Sequence, residues 1–227
     1  MDDPTSSGMT LRAAIVSGDD ALQAEQLVDD LICDCCQTDV AIAASGPVAV
    51  YRNRSSDEIR DIHVTRFLEG KWQIAKPVAS DDWKIAGCPA NGPSISADAN
   101  TVAIAWFTAA QEPLVSVVIS TDSGESFSKP IEIVRGETLG RVAVVILDDG
   151  EFAVSWLVVA DAESSAVKVR RVMRDATLGP VHVVADTATG LSVPQMVRVN
   201  AELIFAWTEA RDDGAHIASA SVAIDAL

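Results

Sequence analysis

Residues 32–40 read ICDCCQTDV, with Cys33, Cys35 and Cys36 inside four positions, and AGCPANG later supplies Cys88, the only other cysteine. Four cysteines allow three chemistries. They can pair as two disulfides, in one of three connectivities. As soft thiolates from two loops they could hold copper(I) or zinc. Or they can pack as small reduced apolar residues. C-x-C-C is not the C-x-x-C of a zinc knuckle, and none of His63, His182 or His216 is near it in sequence. Disulfides are the favoured reading. Cys88 is expected to bond to one member of the 33–36 group, with Cys33 in that bond or in the second one, because adjacent Cys35–Cys36 is the strained pairing.

A second group follows at YRNRSSDEIRD (51–61). Arg52, Arg54 and Arg60 are candidate cationic donors for a carboxylate. Glu58 and Asp61 are the acid/base candidates, and Tyr51, the only tyrosine of the chain, is the one candidate tyrosine nucleophile. Asp57 stands beside them, and Trp83 could stack on a sugar. Each has a structural counterpart: a salt-bridge network for the arginines and carboxylates, an inter-blade plug for Trp83. Asp212 and Asp213 in ARDDG read as a turn. Alternation puts Tyr51 and Arg52 on opposite sides of their strand, so binding is favoured over catalysis for this chain.

What positions these residues is a repeat of about fifty residues. TVAIAWFTAA (101–110), EFAVSWLVVA (151–160) and ELIFAWTEAR (202–211) carry Trp106, Trp156 and Trp207, spaced 50 and then 51 apart. PVAVYRNRSS (47–56) aligns as a fourth copy with Arg52 in the tryptophan's place, where a half-buried arginine calls for a carboxylate partner or a ligand. A short strand precedes each copy and an alternating strand follows it. Pro77, Pro130 and Pro180, spaced 53 and then 50, mark an outer edge where no ladder donor is missed.

Four short antiparallel strands per repeat predict a β-propeller rather than a two-sheet sandwich. The whole chain, 1–227, reads as one all-β domain: a partial blade at 8–28, blades at 38–79, 92–134 and 140–185, and a partial blade at 193–224. DDALQAEQLVDDL (19–31) has helical composition, but the repeat places an outer strand there. The partial ends predict an incomplete ring, a fragment of a six-bladed propeller lacking upstream blades, with open edges that invite self-association.

STDSGESF (120–127) then follows the pattern Ser/Thr-x-Asp-x-Gly-x-Ser/Thr-aromatic, through Ser120, Asp122, Gly124 and Phe127. It resembles the Asp-box of bacterial-neuraminidase (BNR) repeats, found in sialidase-like propellers. FLEGKW (67–72) and MRDATL (173–178) keep the turn without the Asp-x-Gly pair. The resemblance implies a structural role for the box, on the face away from the ligand, and an acidic glycan or other small anionic molecule as ligand. Sialidases carry an arginine triad, a tyrosine–glutamate pair and an aspartate acid. No Arg-Ile-Pro motif occurs in this chain, and that region would lie upstream.

Propeller topology gathers the loops 32–39, 52–61, 80–92, 135–140 and 208–214 on one face, so both cysteine segments and the arginine loop should meet there. The net charge of −16 argues against nucleic acid, and the longest apolar runs, such as VAVVIL (142–147), are strand-sized, so no membrane span is expected. The start, MDDPTSSGMT, has no signal-peptide pattern. The disulfide reading places the full-length form in the periplasm or outside the cell.

Overall fold

The computed structural model describes residues 8–16, 18, 22–160, 164–187, 193–211 and 213–227. Asp212 and parts of the 8–28 and 19–31 segments lie outside them. The described residues form eighteen strands and two short 3-10 turns. A hairpin of β1 (Met9–Val16) and β2 (Leu22–Ile32) comes first; the segment of helical composition is thus strand from Leu22 on. The next sheet holds β3 (Asp39–Ala43), β4 (Gly46–Arg52) and β5 (Ile62–Leu68), edged by β6 (Lys71–Trp72) and β7 (Lys76–Pro77). Then come β8 (Ser94–Asp98), β9 (Thr101–Thr108), β10 (Leu114–Ser120) and β11 (Ile131–Arg135). The third full sheet is β12 (Gly140–Ile146), β13 (Phe152–Val159), β14 (Ser165–Val172) and β15 (His182–Thr187). The last is β16 (Gln195–Val199), β17 (Glu202–Arg211) and β18 (Gly214–Ala223). All pairings are antiparallel. No helix among the described residues is long and apolar enough to cross a membrane.

The first strands β3, β8, β12 and β16 lie side by side, so the sheets stand radially as propeller blades. Each blade therefore needs two apolar faces, one toward each neighbour. On β9, Val102, Ile104 and Trp106 pack against Val48, Val50, Ile62 and Val64 of the preceding blade. The alternate residues Ala103, Ala105 and Phe107 pack against Val142, Val144 and Trp156 of the following one. The third interface repeats the arrangement, with Ala153, Leu157 and Val167 against Leu203, Phe205 and Trp207. Period-2 alternation thus sorts large side chains between two cores, and each tryptophan faces the blade before it.

This packing corrects the alignment of Arg52. Gly46 and Thr101 both open the second strand after a two-residue turn. Five residues on, the position of Trp106 is taken by Tyr51. Arg52 corresponds instead to Phe107, facing the following blade.

The STDSGESF turn joins β10 to β11, the third and fourth strands of their blade. The buried Ser120 hydroxyl donates to Asp122 Oδ1 (2.6 Å) and accepts from the Gly124 amide (2.8 Å), while the Ser126 amide donates to Asp122 (2.9 Å). These bonds, Ser120's first, hold the Asp122 carboxyl well below the usual carboxylate range. Gly124 has φ +81°, and a Cβ there would come within 3.3 Å of Val48 on the preceding blade. The turn is a fastener between blades: it needs glycine both for its backbone and for that close approach.

Candidate functional site

Three loops close together where the hairpin, the first full blade and the second meet. β2 runs out alongside the end of β4: the Cys33 amide donates to the Arg52 carbonyl (3.0 Å) and the Arg54 amide to the Leu31 carbonyl (3.3 Å). The 53–61 loop pairs in turn with 82–86, through Arg60 N to Trp83 O (2.9 Å) and Ile85 N to Glu58 O (3.0 Å). Two disulfides close the arrangement. Cys33–Cys36 staples the incoming loop, and Cys35–Cys88 ties it to the connection leading into the second blade. Gly92 sits so close to the Gln37 backbone that a Cβ would collide with its carbonyl, and Gln37 Oε1 accepts the Gly92 amide (2.9 Å).

Arg52 lies under these loops, 1% exposed. Its Nε, Nη1 and Nη2 donate to the carbonyls of Asn91 (2.7 Å), Arg60 (2.6 Å) and Phe107 (2.6 Å). Burial pushes its pKa down to about 10, against the opposing attraction of Asp81 and Asp61. The guanidinium also lies 4.8 Å from the Trp83 ring, a cation–π distance, and Trp83 meets Phe107 edge-on at 5.7 Å. This corrects the expectation that Arg52 needs a carboxylate partner or a ligand: three carbonyls from three segments satisfy it, and it joins the loops. Trp83, 7% exposed, is a plug and offers no face to a sugar.

Asp61, 7% exposed, accepts the amides of Asp82 (3.2 Å) and Trp83 (3.2 Å), which holds the turn at Asp82 where φ is +54°. Each of its oxygens braces that turn, and Asp61 does not line the cavity beside the cysteines. Tyr51 is fully buried, with its hydroxyl donating to Asp29 Oδ2 (2.5 Å). Burial first, and that bond second, raise its pKa and oppose the phenolate a nucleophile would need. The tyrosine-nucleophile expectation is corrected accordingly. Asp57 is at an exposed turn tip, its amide donating to Ser55 Oγ (3.2 Å), and Asp213 pairs with His216 (2.7 Å) inside its own hairpin.

The remaining candidates do converge. A cavity of about 270 Å³ is lined by Asp34, Cys35, Arg54, Glu58, Arg60, Ala86, Gly87 and Cys88. Glu58, held at φ +63°, takes Arg54 Nη2 on one oxygen (2.6 Å) and Arg60 Nη2 on the other (2.8 Å). Arg54 also lies 3.6 Å from Asp34. Arg60 is 5% exposed, with Nη1 at 3.5 Å from Cys33 Sγ, and its Nε has no hydrogen-bond partner among the described residues. The hydrogen bonds from Arg54 and then Arg60 lower the Glu58 pKa. The clamp's contribution to stability is therefore present above the ordinary glutamate value of about 4.3 and lost as pH falls through the lower folded value. Acid melts should show wild-type protein losing stability faster below about pH 4 than the Glu58→Gln variant; superimposable acid limbs would contradict the clamp.

Sequence reasoning missed Asp29 and Asn91. Asp29 also accepts Asn53 Nδ2 (3.0 Å), and Asn91 reaches the Leu139 carbonyl (3.2 Å) and the Arg141 amide (2.8 Å) of the third blade. A larger cavity, about 540 Å³, follows the first strands of the blades, and Asp39 is the one charged residue of its lining. Asp39 already accepts the amides of Val40 (2.8 Å) and Ile95 (2.9 Å). That space has no cation to offer, unlike the cavity beside the cysteines.

By sequence alone the chain matches no family model and no curated protein. By structure it is similar to the Hadza microbial sialidase Hz136, with a TM-score of 0.55, 15% identity and coverage of 96% of this chain and 53% of that one. It is similar to Trypanosoma rangeli sialidase in complex with the inhibitor DANA at TM-score 0.57 and 11% identity, over 92% of this chain and 39% of that one. An endo-1,4-beta-xylanase from Bacteroides thetaiotaomicron matches at TM-score 0.55 and 11% identity, over 84% and 69%. The fold is therefore that of a sialidase-like β-propeller. The chain spans about half or less of the length of the sialidases it matches.

Proposed function

We propose that this protein binds, without hydrolysing, a small carboxylate-bearing sugar or similar acidic glycan unit in the cavity beside the two disulfides. The observation that carries this reading is Arg60: a buried guanidinium on the cavity wall with its Nε unpartnered. The guanidinium brings a fixed positive charge to that wall, which a ligand carboxylate entering the cavity would meet together with Arg54. Arg54 stands beside it, half-buried, and Glu58 and Asp34 can accept sugar hydroxyls. A cavity of about 270 Å³ suits one sugar rather than a chain of them. The buried state of Tyr51 and the ionised state of Glu58 favour binding over general-acid chemistry. The two disulfides support a periplasmic or secreted location. Val40 and Ile42 on one side, and Val197 and Ile217 on the other, are exposed; they support further blades or a second copy beside this chain, a fragment of a six-bladed ring.

A rival reading is a scaffold in which Arg54, Glu58 and Arg60 only brace the loops, favoured by their closure on one another. Calorimetric titration with N-acetylneuraminic acid, glucuronic acid and uncharged glucose separates the two. Binding of a carboxylated sugar, weakened at least tenfold by Arg54→Gln and absent for glucose, is expected. No binding of either acid would leave the scaffold. Turnover of a fluorogenic sialoside, abolished by Glu58→Gln or Asp61→Asn, would instead make the protein a hydrolase.

A further inference from the structure

Three sulfur atoms converge where the two disulfides meet, and the fourth, that of Cys88, is bonded to one of them. Cys33 Sγ lies 3.9 Å from Cys35 Sγ, although the two are not bonded to each other. The sulfurs of Cys33, Cys35 and Cys36 all fall within 4.8 Å of one another, and Cys88 is bonded to Cys35. In a tetrahedral thiolate site with zinc–sulfur bonds of about 2.3 Å, the sulfurs stand about 3.8 Å apart. The unbonded pair already has that spacing; Cys88, which is outside the group of three, has to swing toward Cys33 and Cys36 once its bond to Cys35 opens.

We propose that, once a dithiol reductant opens both disulfides, these four cysteines hold one zinc ion. Each disulfide takes two electrons and two protons from one dithiol, which is itself oxidised to a disulfide. Binding of zinc then displaces four thiol protons and leaves a centre of net charge −2. Four sulfurs suit zinc better than copper(I), since tetrahedral S4 sets belong to zinc or iron–sulfur centres. The surroundings fit an anionic centre. Arg60 Nη1 already donates toward Cys33 Sγ at 3.5 Å, and Arg54 lines the same cavity, so both guanidinium groups can offset the thiolate charge. Access fits too: Cys35 and Cys88 are exposed and line that cavity, while Cys33 is buried. The site would exchange one covalent tie between blades for another, disulfide under oxidation and metal under reduction. It does not depend on the sugar-binding reading.

The test is an anaerobic titration of the phosphine-reduced chain with Zn²⁺ against a chromophoric chelator, beside unreduced protein. One zinc per reduced chain is expected and none for the unreduced chain, with Co²⁺ giving the intense visible absorption of tetrahedral thiolate coordination. Cys33→Ser and Cys88→Ser should each weaken binding at least tenfold. Near-ultraviolet circular dichroism of the tryptophans follows the fold: any signal lost on reduction should return with one equivalent of zinc. A reduced, folded chain that takes up no zinc would overturn the proposal. So would unchanged affinity in either serine variant, or a reduced chain whose signal zinc does not restore.

Discussion

Changing Arg52 to alanine is expected to destabilise the protein by about 3–5 kcal/mol, because a buried acceptor left without its donor costs about 1–3 kcal/mol and three are left at once. Three carbonyls, from Asn91, Arg60 and Phe107, would lose their donor at once, and the Trp83 ring would lose the cation beneath it. For a chain of this size the loss corresponds to roughly 6–20 °C in Tm. Arg52→Lys should rescue little, because one ammonium cannot reproduce a rigid fork aimed at three acceptors. Thermal melts check this. A near-normal Tm in Arg52→Ala, with sugar affinity lost, would return Arg52 to the ligand site and remove it from the frame.

The two disulfides should differ in what they stabilise, and by a predictable amount. Cys35–Cys88 spans 53 positions and Cys33–Cys36 only 3. In the chain-entropy view, closing the longer loop is worth about 4 kcal/mol and the shorter about 2 kcal/mol. The Cys35→Ser/Cys88→Ser double variant should therefore lose about twice as much stability in urea as Cys33→Ser/Cys36→Ser. The long tie also joins segments that lead into neighbouring blades, so its loss should free that seam first, seen as faster amide exchange at 82–86. Equal losses in the two variants would contradict the seam-clamp account.

The blades were legible in the sequence because inter-blade packing repeats: a strand between two cores must be apolar on both faces, and the tryptophans recur at one depth in it. The position of Arg52 was legible too, but only from the turns. Measured from the glycine and threonine that open their strands, Tyr51 rather than Arg52 matches Trp106; matched on the run of apolar residues instead, the two strands are offset by one and the side chain's direction is reversed. That single step turned a buried joint into an apparent ligand residue. The meeting of the 33–36, 53–61 and 80–92 loops followed from topology. The partners of individual side chains did not, because Tyr51 with Asp29, or Arg52 with Asn91, are long-range hydrogen bonds that leave no periodic trace. Arg60 shows the same limit: its charge was plain in the sequence, but its unpartnered Nε depends on how Glu58 and Cys33 occupy the rest of the fork.

That nitrogen is where the proposal can be tested most directly. The Nε–H resonances of the arginines, resolved by ¹⁵N-edited spectroscopy and assigned with Arg60→Lys and Arg54→Gln, can be followed as N-acetylneuraminic or glucuronic acid is added. The account predicts a saturable shift of the Arg60 Nε–H, accompanied by Arg54 and absent with glucose, while Arg52 stays unmoved. A titration that leaves Arg60 unchanged, or that shifts only arginines away from the cavity beside the cysteines, would contradict it.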